Sequence, residues 1–206
     1  MTKAGALVTA PPLTMACFFT PSSFPTDGAP LTITAAGGTG WQNMLDLAVP
    51  SSTKIALAET GSNNVFISTA TDGGSAMVAG TLYHLAAVYA STSSRTCYRN
   101  GVPGTTIGGF NSPNSLTTNW VGISSASANT GTRGVISWIG FWAAALTTPE
   151  VAALSQGCHP RRIRPASLIA SLNLTGGASP EPDLVSPGTW AVNGALTEAN
   201  NPRIFY

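Results

Sequence analysis

The stretch Leu82-Tyr83-His84-Leu85-Ala86-Ala87-Val88-Tyr89, followed shortly by Arg95-Thr96-Cys97-Tyr98-Arg99-Asn100-Gly101, decides the fold. The first run is apolar at odd and even positions alike, as a strand covered on both faces must be. Asn100-Gly101 is a hairpin signal, because a type I′ turn needs positive φ at both central residues and these two residue types tolerate it. A pair of antiparallel strands is thereby placed at the centre of the chain.

The same punctuation repeats on either side. Leu13, Met15, Cys17 and Phe19 alternate with Thr14, Ala16, Phe18 and Thr20 until Pro21 ends the run. Leu31, Ile33 and Ala35 alternate with Thr32 and Thr34. Further strands are expected at Met44 to Val49, Lys54 to Glu59 (Ile55 and Leu57 on one face), Val65 to Ile67, Thr105 to Ile107 and Trp120 to Ile123. Gly134 to Trp142 reads with Val135, Ser137, Ile139 and Phe141 on one face and Ile136, Trp138, Gly140 and Trp142 on the other. Leu168 to Leu174 and Trp190 to Val192 complete the set. Short strands between Gly, Pro, Asn and Ser clusters predict an all-β domain. One helix is expected near residues 148–156. Thr147 and Glu150 form a capping box, Pro149 lies in the first turn, Val151 and Leu154 give an apolar face, and Gly157 ends it.

Composition removes several function classes. Of 206 residues only 8% are charged, and nine Lys+Arg against eight Asp+Glu leave a net charge of +1. Such a chain has no electrostatic footprint for nucleic acid or for an anionic membrane surface. The most apolar stretch, Val135 to Leu146, is shorter than the ~18–20 residues that cross a bilayer. A hydrophobic content of 43% supports a core rather than disorder. A surface this poor in charge lacks the usual protection against association, so much of it is expected to touch other protein. Near the start, Pro11-Pro12 interrupts the apolar run and no small-x-small site follows, so no cleaved secretory signal is expected. Cys17, Cys97 and Cys158 are odd in number and lack CxxC spacing, which points to free thiols rather than a disulfide framework or zinc site. Cys158-His159 is the one Cys/His neighbour pair and His84 the only other His, so neither a metal nor a cofactor is expected.

Four segments in order resemble a known family. Tyr83 to Tyr89 is similar to its Trp-x-His-x-Ala-x-Val strand, and Arg95 to Gly101 to its Tyr-x-Asn-Gly hairpin. Trp120-Val121-Gly122-Ile123 is similar to the intervening Ile-Gly strand. Gly134 to Val151 is similar to its final strand and capped helix, with Trp142, Leu146, Thr147 and Glu150 in register. Together they resemble the laminin-G-like, concanavalin A-like domains. The resemblance implies a two-sheet antiparallel jelly-roll β-sandwich, here a single domain over 1–206. Short extensions at 1–10 and about 176–206 would pack on it or on a partner. The helix followed by Arg-Ile-Arg-Pro and a returning strand resembles versions encoded in phage structural gene clusters. That implies a non-enzymatic virion protein, folded in the host cytoplasm. It would be a capsid decoration (cement) or appendage protein that binds major capsid or tail proteins and forms homo-oligomers. The alternative is a lectin-like, carbohydrate-binding module for host-surface glycans. Two departures stand out. Leu82 occupies the place of the family's strand Trp. The carboxylate-rich calcium sites have no counterpart, since Asp27, Asp46, Glu59 and Asp72 are scattered.

Glycoside hydrolysis needs two carboxyls flanking the bond. The jelly-roll glucanases carry theirs as Glu-x-Asp-x-x-Glu on one strand, and no strand here reads with two acids. Glu150 is explained as a helix cap, Glu59 as a strand end and His84 as a core histidine, so no catalytic residue is assigned. Of the aromatic candidates Trp41, Trp120, Trp138, Trp142 and Trp190, the pair in the apolar strand 134–142 is read as core. Trp41 and Trp190 follow Gly- or Pro-rich segments and are the candidate glycan contacts, against the alternative that they anchor loops under the sandwich rim. Arg161, Arg162 and Arg164, with Ile204, Phe205 and Tyr206, are the candidate protein-interface residues. For the arginines the alternative is a solvated connection after the helix.

Overall fold

The computed structural model describes residues 1–24, 29–35, 44–51, 54–56, 59–60, 76–106, 116–122, 132–174 and 181–192. The strands pair antiparallel into two facing sheets. The first holds, edge to edge, β1 (Thr2–Ala4), β10 (Leu116–Val121), β3 (Leu31–Ala35), β4 (Met44–Ser51) and β5 (Lys54–Ala56), with β6 (Glu59–Thr60) also paired to β4. The second holds β12 (Leu168–Leu172), β11 (Gly134–Trp142), β2 (Leu13–Pro21), β7 (Tyr83–Ser91), β8 (Ser94–Arg99) and β9 (Val102–Pro103).

The alternating residues meet between the sheets. Leu13, Met15, Cys17 and Phe19 of β2, with Leu85, Ala87 and Tyr89 of β7, pack against Leu31 and Ile33 of β3 and Leu45 and Leu47 of β4. Each aliphatic or aromatic side chain removed from water this way contributes about 1.5–3 kcal/mol before entropy is counted. The outer face of the second sheet is buried too. Ala16, Ala86, Val88, Tyr98 and Trp142 lie under Leu146, Val151, Leu154 and Leu168. This is why β7 is apolar on both faces from Leu85 to Tyr89, whereas Leu82, ahead of the strand, is exposed.

The cover is α1 (Thr148–Ser155), capped by Thr147. The Glu150 carboxylate accepts the Thr147 backbone N–H and hydroxyl, both at 2.7 Å. At the other end Gly157, at φ 90°, donates to Leu154 O, and Cys158 donates to Ala153 O. That pair of bonds is a Schellman motif and satisfies the last carbonyls.

The hairpin forms at Asn100 (φ 52°) and Gly101 (φ 80°), and Arg99 pairs with Val102 immediately after it. Pairing therefore resumes at Val102–Pro103, not at Thr105 to Ile107 as alternation suggests; Ile107 lies outside the described residues. A Cβ on Gly101 would sit 2.6 Å from Ser155 Oγ and 3.0 Å from Ala152 Cα, so the bare turn rests on α1. Gly101→Ala is expected to cost about 1–3 kcal/mol, read as a lower urea midpoint at unchanged slope. An unshifted midpoint would mean that the turn does not bear on the helix.

β11 corrects the simple alternation. Trp138 adopts φ 50°, and the register with β2 shifts between Ser137 and Gly140. This bulge inserts an extra residue, so Ile136, not Val135 or Ser137, joins Ile139 and Phe141 at the inner core. Gly140 is bare because the Trp142 indole occupies the space of its Cβ, 2.3 Å from Cη2. β10 begins at Leu116, ahead of the expected Trp120, and β12 ends at Leu172, ahead of Leu174. The expected strand at Val65 to Ile67 lies outside the described residues. No described helix is long and apolar enough to cross a membrane.

Candidate functional site

The segment 181–192 reads in sequence as a Gly/Pro/Ser connection, yet it forms a strap. β13 (Glu181–Pro182) pairs with β14 (Thr189–Trp190). Ala191 exchanges backbone hydrogen bonds with Thr2, at 2.9 and 2.8 Å, beyond the β1 edge of the first sheet. Leu184 N donates to Ser171 O at 2.9 Å, beyond the β12 edge of the second. The strap thus ties one edge of each sheet to the other.

Asp183 is its centre. One carboxylate oxygen accepts the backbone N–H groups of Ser171, Val185 and Ser186. The other accepts Lys3 Nζ at 3.0 Å, Ser186 Oγ at 2.7 Å and Trp190 Nε1 at 3.2 Å. Burial pushes this carboxyl up, but bonds from Ser186, Lys3, Ser171 and Val185 outweigh it and hold the group below the usual carboxylate range. Trp190, one of the two candidate glycan contacts, is fully buried and stacks on Phe141 at 5.9 Å. It offers no face to a sugar and anchors the strap. Trp41 lies outside the described residues.

Glu181 and Asp183 are close acids that do not share a strand, since only Glu181 falls in β13. Their environments push them apart, since burial raises Glu181 against a single bond from the Leu174 N–H. Such divergence can mark an acid and a base. Here the Asp183 side chain is wholly enclosed and Glu181 is buried, so neither meets a substrate.

His84 is buried on β7, edge-on to Phe18, and its Nδ1 has no hydrogen-bond partner. Burial takes its imidazole down to about 3, so it is neutral at pH 7. Cys17 and Cys97 are buried free thiols, and burial pushes Cys17 far up, away from thiolate chemistry. Arg95 and Arg99 are unanticipated. Both are buried on the core side of β8, opposite Tyr89 and Leu85 in register, and both make polar or electrostatic contacts.

Cys158 is half-buried, and both nitrogens of its neighbour His159 are engaged. Nδ1 accepts Arg161 N at 3.1 Å and Nε2 meets Asn173 Oδ1 at 3.2 Å, while the ring lies edge-on to Trp138. Burial lowers this imidazole, Asn173 opposes, and the Arg161 and Arg162 charges add to the lowering. Among the described residues no group of three His, Cys, Asp or Glu could hold a metal. The three interface arginines behave differently. Arg161 and Arg162 are exposed on a 3₁₀ turn (Pro160–Arg162), whereas Arg164 Nε donates to Glu150 Oε1 at 2.5 Å and Nη1 to Ala145 O at 3.1 Å. Ile204, Phe205 and Tyr206 lie outside the described residues.

One sheet face is left without a helical cover among the described residues. α1 packs on β7 and β9, and the 3₁₀ turn on β11 and β12, all in the second sheet. On the outer face of the first sheet, register sets Thr2, Trp120, Thr32 and Asp46 in one row across β1, β10, β3 and β4. The row lies opposite the core face that carries Leu31, Ile33 and Val121. Thr32 within it is fully buried.

Comparison with known proteins agrees with this geometry. No curated protein matches the chain. Among solved structures, domain 4 of AbnA, an extracellular arabinanase from Geobacillus stearothermophilus in complex with arabinotriose, superposes with a TM-score of 0.61. It is 17% identical over 75% of this chain and 71% of that one. A heptameric SAP-like pentraxin from Limulus polyphemus gives 0.55 at 19% identity, over 74% of this chain and 72% of that one. A proposed carbohydrate-binding protein from Bacteroides ovatus gives 0.57 at 14% identity, over 94% of this chain and 58% of that one. At these identities the likeness is one of fold, and the fold serves binding proteins and enzymes alike. Sequence comparison matches residues 2–152 to Laminin_G_3, so the chain belongs to the concanavalin A-like lectin/glucanases superfamily.

Proposed function

We propose that the protein is a carbohydrate-binding module that uses the outer face of its first sheet. The reading is carried by membership of the concanavalin A-like lectin/glucanases superfamily, and strand register, which sets Trp120 in one row with Thr2, Thr32 and Asp46, names the residue to test. A flat apolar ring beside planar or hydroxylic polar groups is what a sugar requires. The likeness to an arabinanase domain that holds arabinotriose supports the reading. Of the acids, Asp183 and Glu181 are enclosed and Glu150 is held by Thr147 and Arg164, which supports binding without hydrolysis by these three.

Arabinotriose titration and a glycan array test it. Trp120→Ala is expected to weaken binding at least about tenfold, the worth of one aromatic contact, with an unchanged circular dichroism spectrum. Binding by Trp120→Ala at wild-type strength removes this face from consideration. An array with no response removes the function.

The sparse charge, 8% of residues, favours a second reading, a structural protein of a phage virion that is a decoration or appendage protein contacting shell or tail proteins. The two readings are compatible if the module is displayed on a particle. Mass spectrometry of intact purified particles decides the second, which fails if the chain is missing from them.

A further inference from the structure

We infer that the turn 159–165 is a docking surface for an acidic segment of a different protein, independently of any glycan function. The turn is held from every side. Pro160 is buried, His159 accepts the Arg161 N–H and pairs with Asn173, and Trp142 Nε1 donates to Ile163 O at 2.7 Å. Arg164 is clamped to Glu150 and to Ala145 O, and it adopts φ 40°, a left-handed conformation that costs a non-glycine residue energy. His159, Pro160, Ile163 and Arg164 are thus braced, and Arg164 is strained, around two exposed side chains that meet no carboxylate among the described residues, Arg161 and Arg162.

Compensation of the helix dipole does not account for them. That effect fades within the last turn of a helix, and α1 ends at Ser155 with no basic residue there and its last carbonyls already satisfied. Arginine is the side chain that takes carboxylates in fork geometry, and a fixed backbone beneath the two arginines reduces the ordering cost of binding. A second copy of the chain is a poor occupant. The chain carries only eight acids in 206 residues, widely spaced except for Glu181 and Asp183, and that one close pair is buried, so no acidic segment is on offer from a second copy. A sugar acid is a poorer fit than a peptide, because Trp138 and Trp142, the indoles beside the turn, are buried and leave no ring to stack on.

The test titrates the full chain with labelled poly-L-glutamate, with heparin and polygalacturonate in parallel. Poly-L-glutamate is expected to bind at low salt and to weaken as salt rises. Arg161→Gln and Arg162→Gln are each expected to lose roughly threefold and the double variant roughly tenfold, while Arg133→Gln, the same loss of one exposed charge as either single variant, leaves binding unchanged. Glu150→Gln keeps a capping side chain but releases Arg164, and it weakens binding although it adds positive charge. Four results overturn the inference. They are no binding of poly-L-glutamate, equal loss in Arg133→Gln, tighter binding by Glu150→Gln, or tighter binding of either polysaccharide, which reassigns the turn to an anionic glycan.

Discussion

Asp183→Ala is expected to lower stability by about 3–5 kcal/mol, the usual result when one member of a buried ion pair is removed. The argument is an inventory of donors. Lys3 Nζ, Ser186 Oγ, Trp190 Nε1 and the backbone N–H groups of Ser171, Val185 and Ser186 all converge on this carboxylate. Alanine leaves them without an acceptor, and the Lys3 side chain, only 14% exposed, keeps its charge. For a chain of this length the loss corresponds to a drop in melting temperature of roughly 10 °C. Asp183→Asn keeps one oxygen but turns an amide toward donors, so it falls between the two. Lys3→Met costs less, because the carboxylate retains its other partners. Thermal unfolding followed by circular dichroism ranks the three, and an Asp183→Ala midpoint within about 2 °C of the wild type would remove Asp183 from its place as the fastener.

The second large effect is acid lability through His84. Its folded value of about 3 lies below the ordinary imidazole value of 6.5, and burial is the cause. A base whose folded value is depressed contributes stability above its unfolded value and loses it as the pH falls. The loss therefore starts near pH 6.5 and continues toward pH 3, reaching roughly 5 kcal/mol in all. The depressed Asp183 adds to the loss at the acid end, and the raised Glu181 opposes it. Urea unfolding between pH 7 and about pH 4 measures the slope. His84→Leu is expected to flatten it, at some cost at neutral pH from altered contact with Phe18. An unchanged slope in His84→Leu assigns the lability to the carboxyls.

The features legible in sequence are those governed by short-range chemistry. Asn100-Gly101 turns as its residue types require, and Thr147 with Glu150 starts the helix where their spacing says. The sandwich follows from alternation in β2 and β3 and from the doubly apolar β7. The misses have two physical sources. A bulge at Trp138 shifts the phase of β11 by a local conformation that no period reveals. The strap depends on partners distant in sequence, Lys3, Phe141 and Ser171, so Trp190 looks like an exposed loop residue until those neighbours are in place. Arg95 and Arg99 are similar, since two arginines in a short strand look solvent-facing and only the opposite sheet encloses them. For the candidate site, the sequence offers Trp120 as one aromatic among several. Register alone sets it beside Thr2 and Thr32 and, one strand further, in line with Asp46.

The strap also determines how the molecule meets tension. Thr2 and Ala191 run antiparallel, so Met1 and Val192 leave from the same end of their pairing. Pulling on those two points does not shear the pair. It peels the pair open one hydrogen bond at a time, the weakest way to load a β ladder. On the Val192 side the load next reaches the stacked Trp190 and the Lys3–Asp183 pair. On the Met1 side it meets the backbone bonds to Val121 and a buried core side chain, so the strap and the edge of the first sheet share the tension.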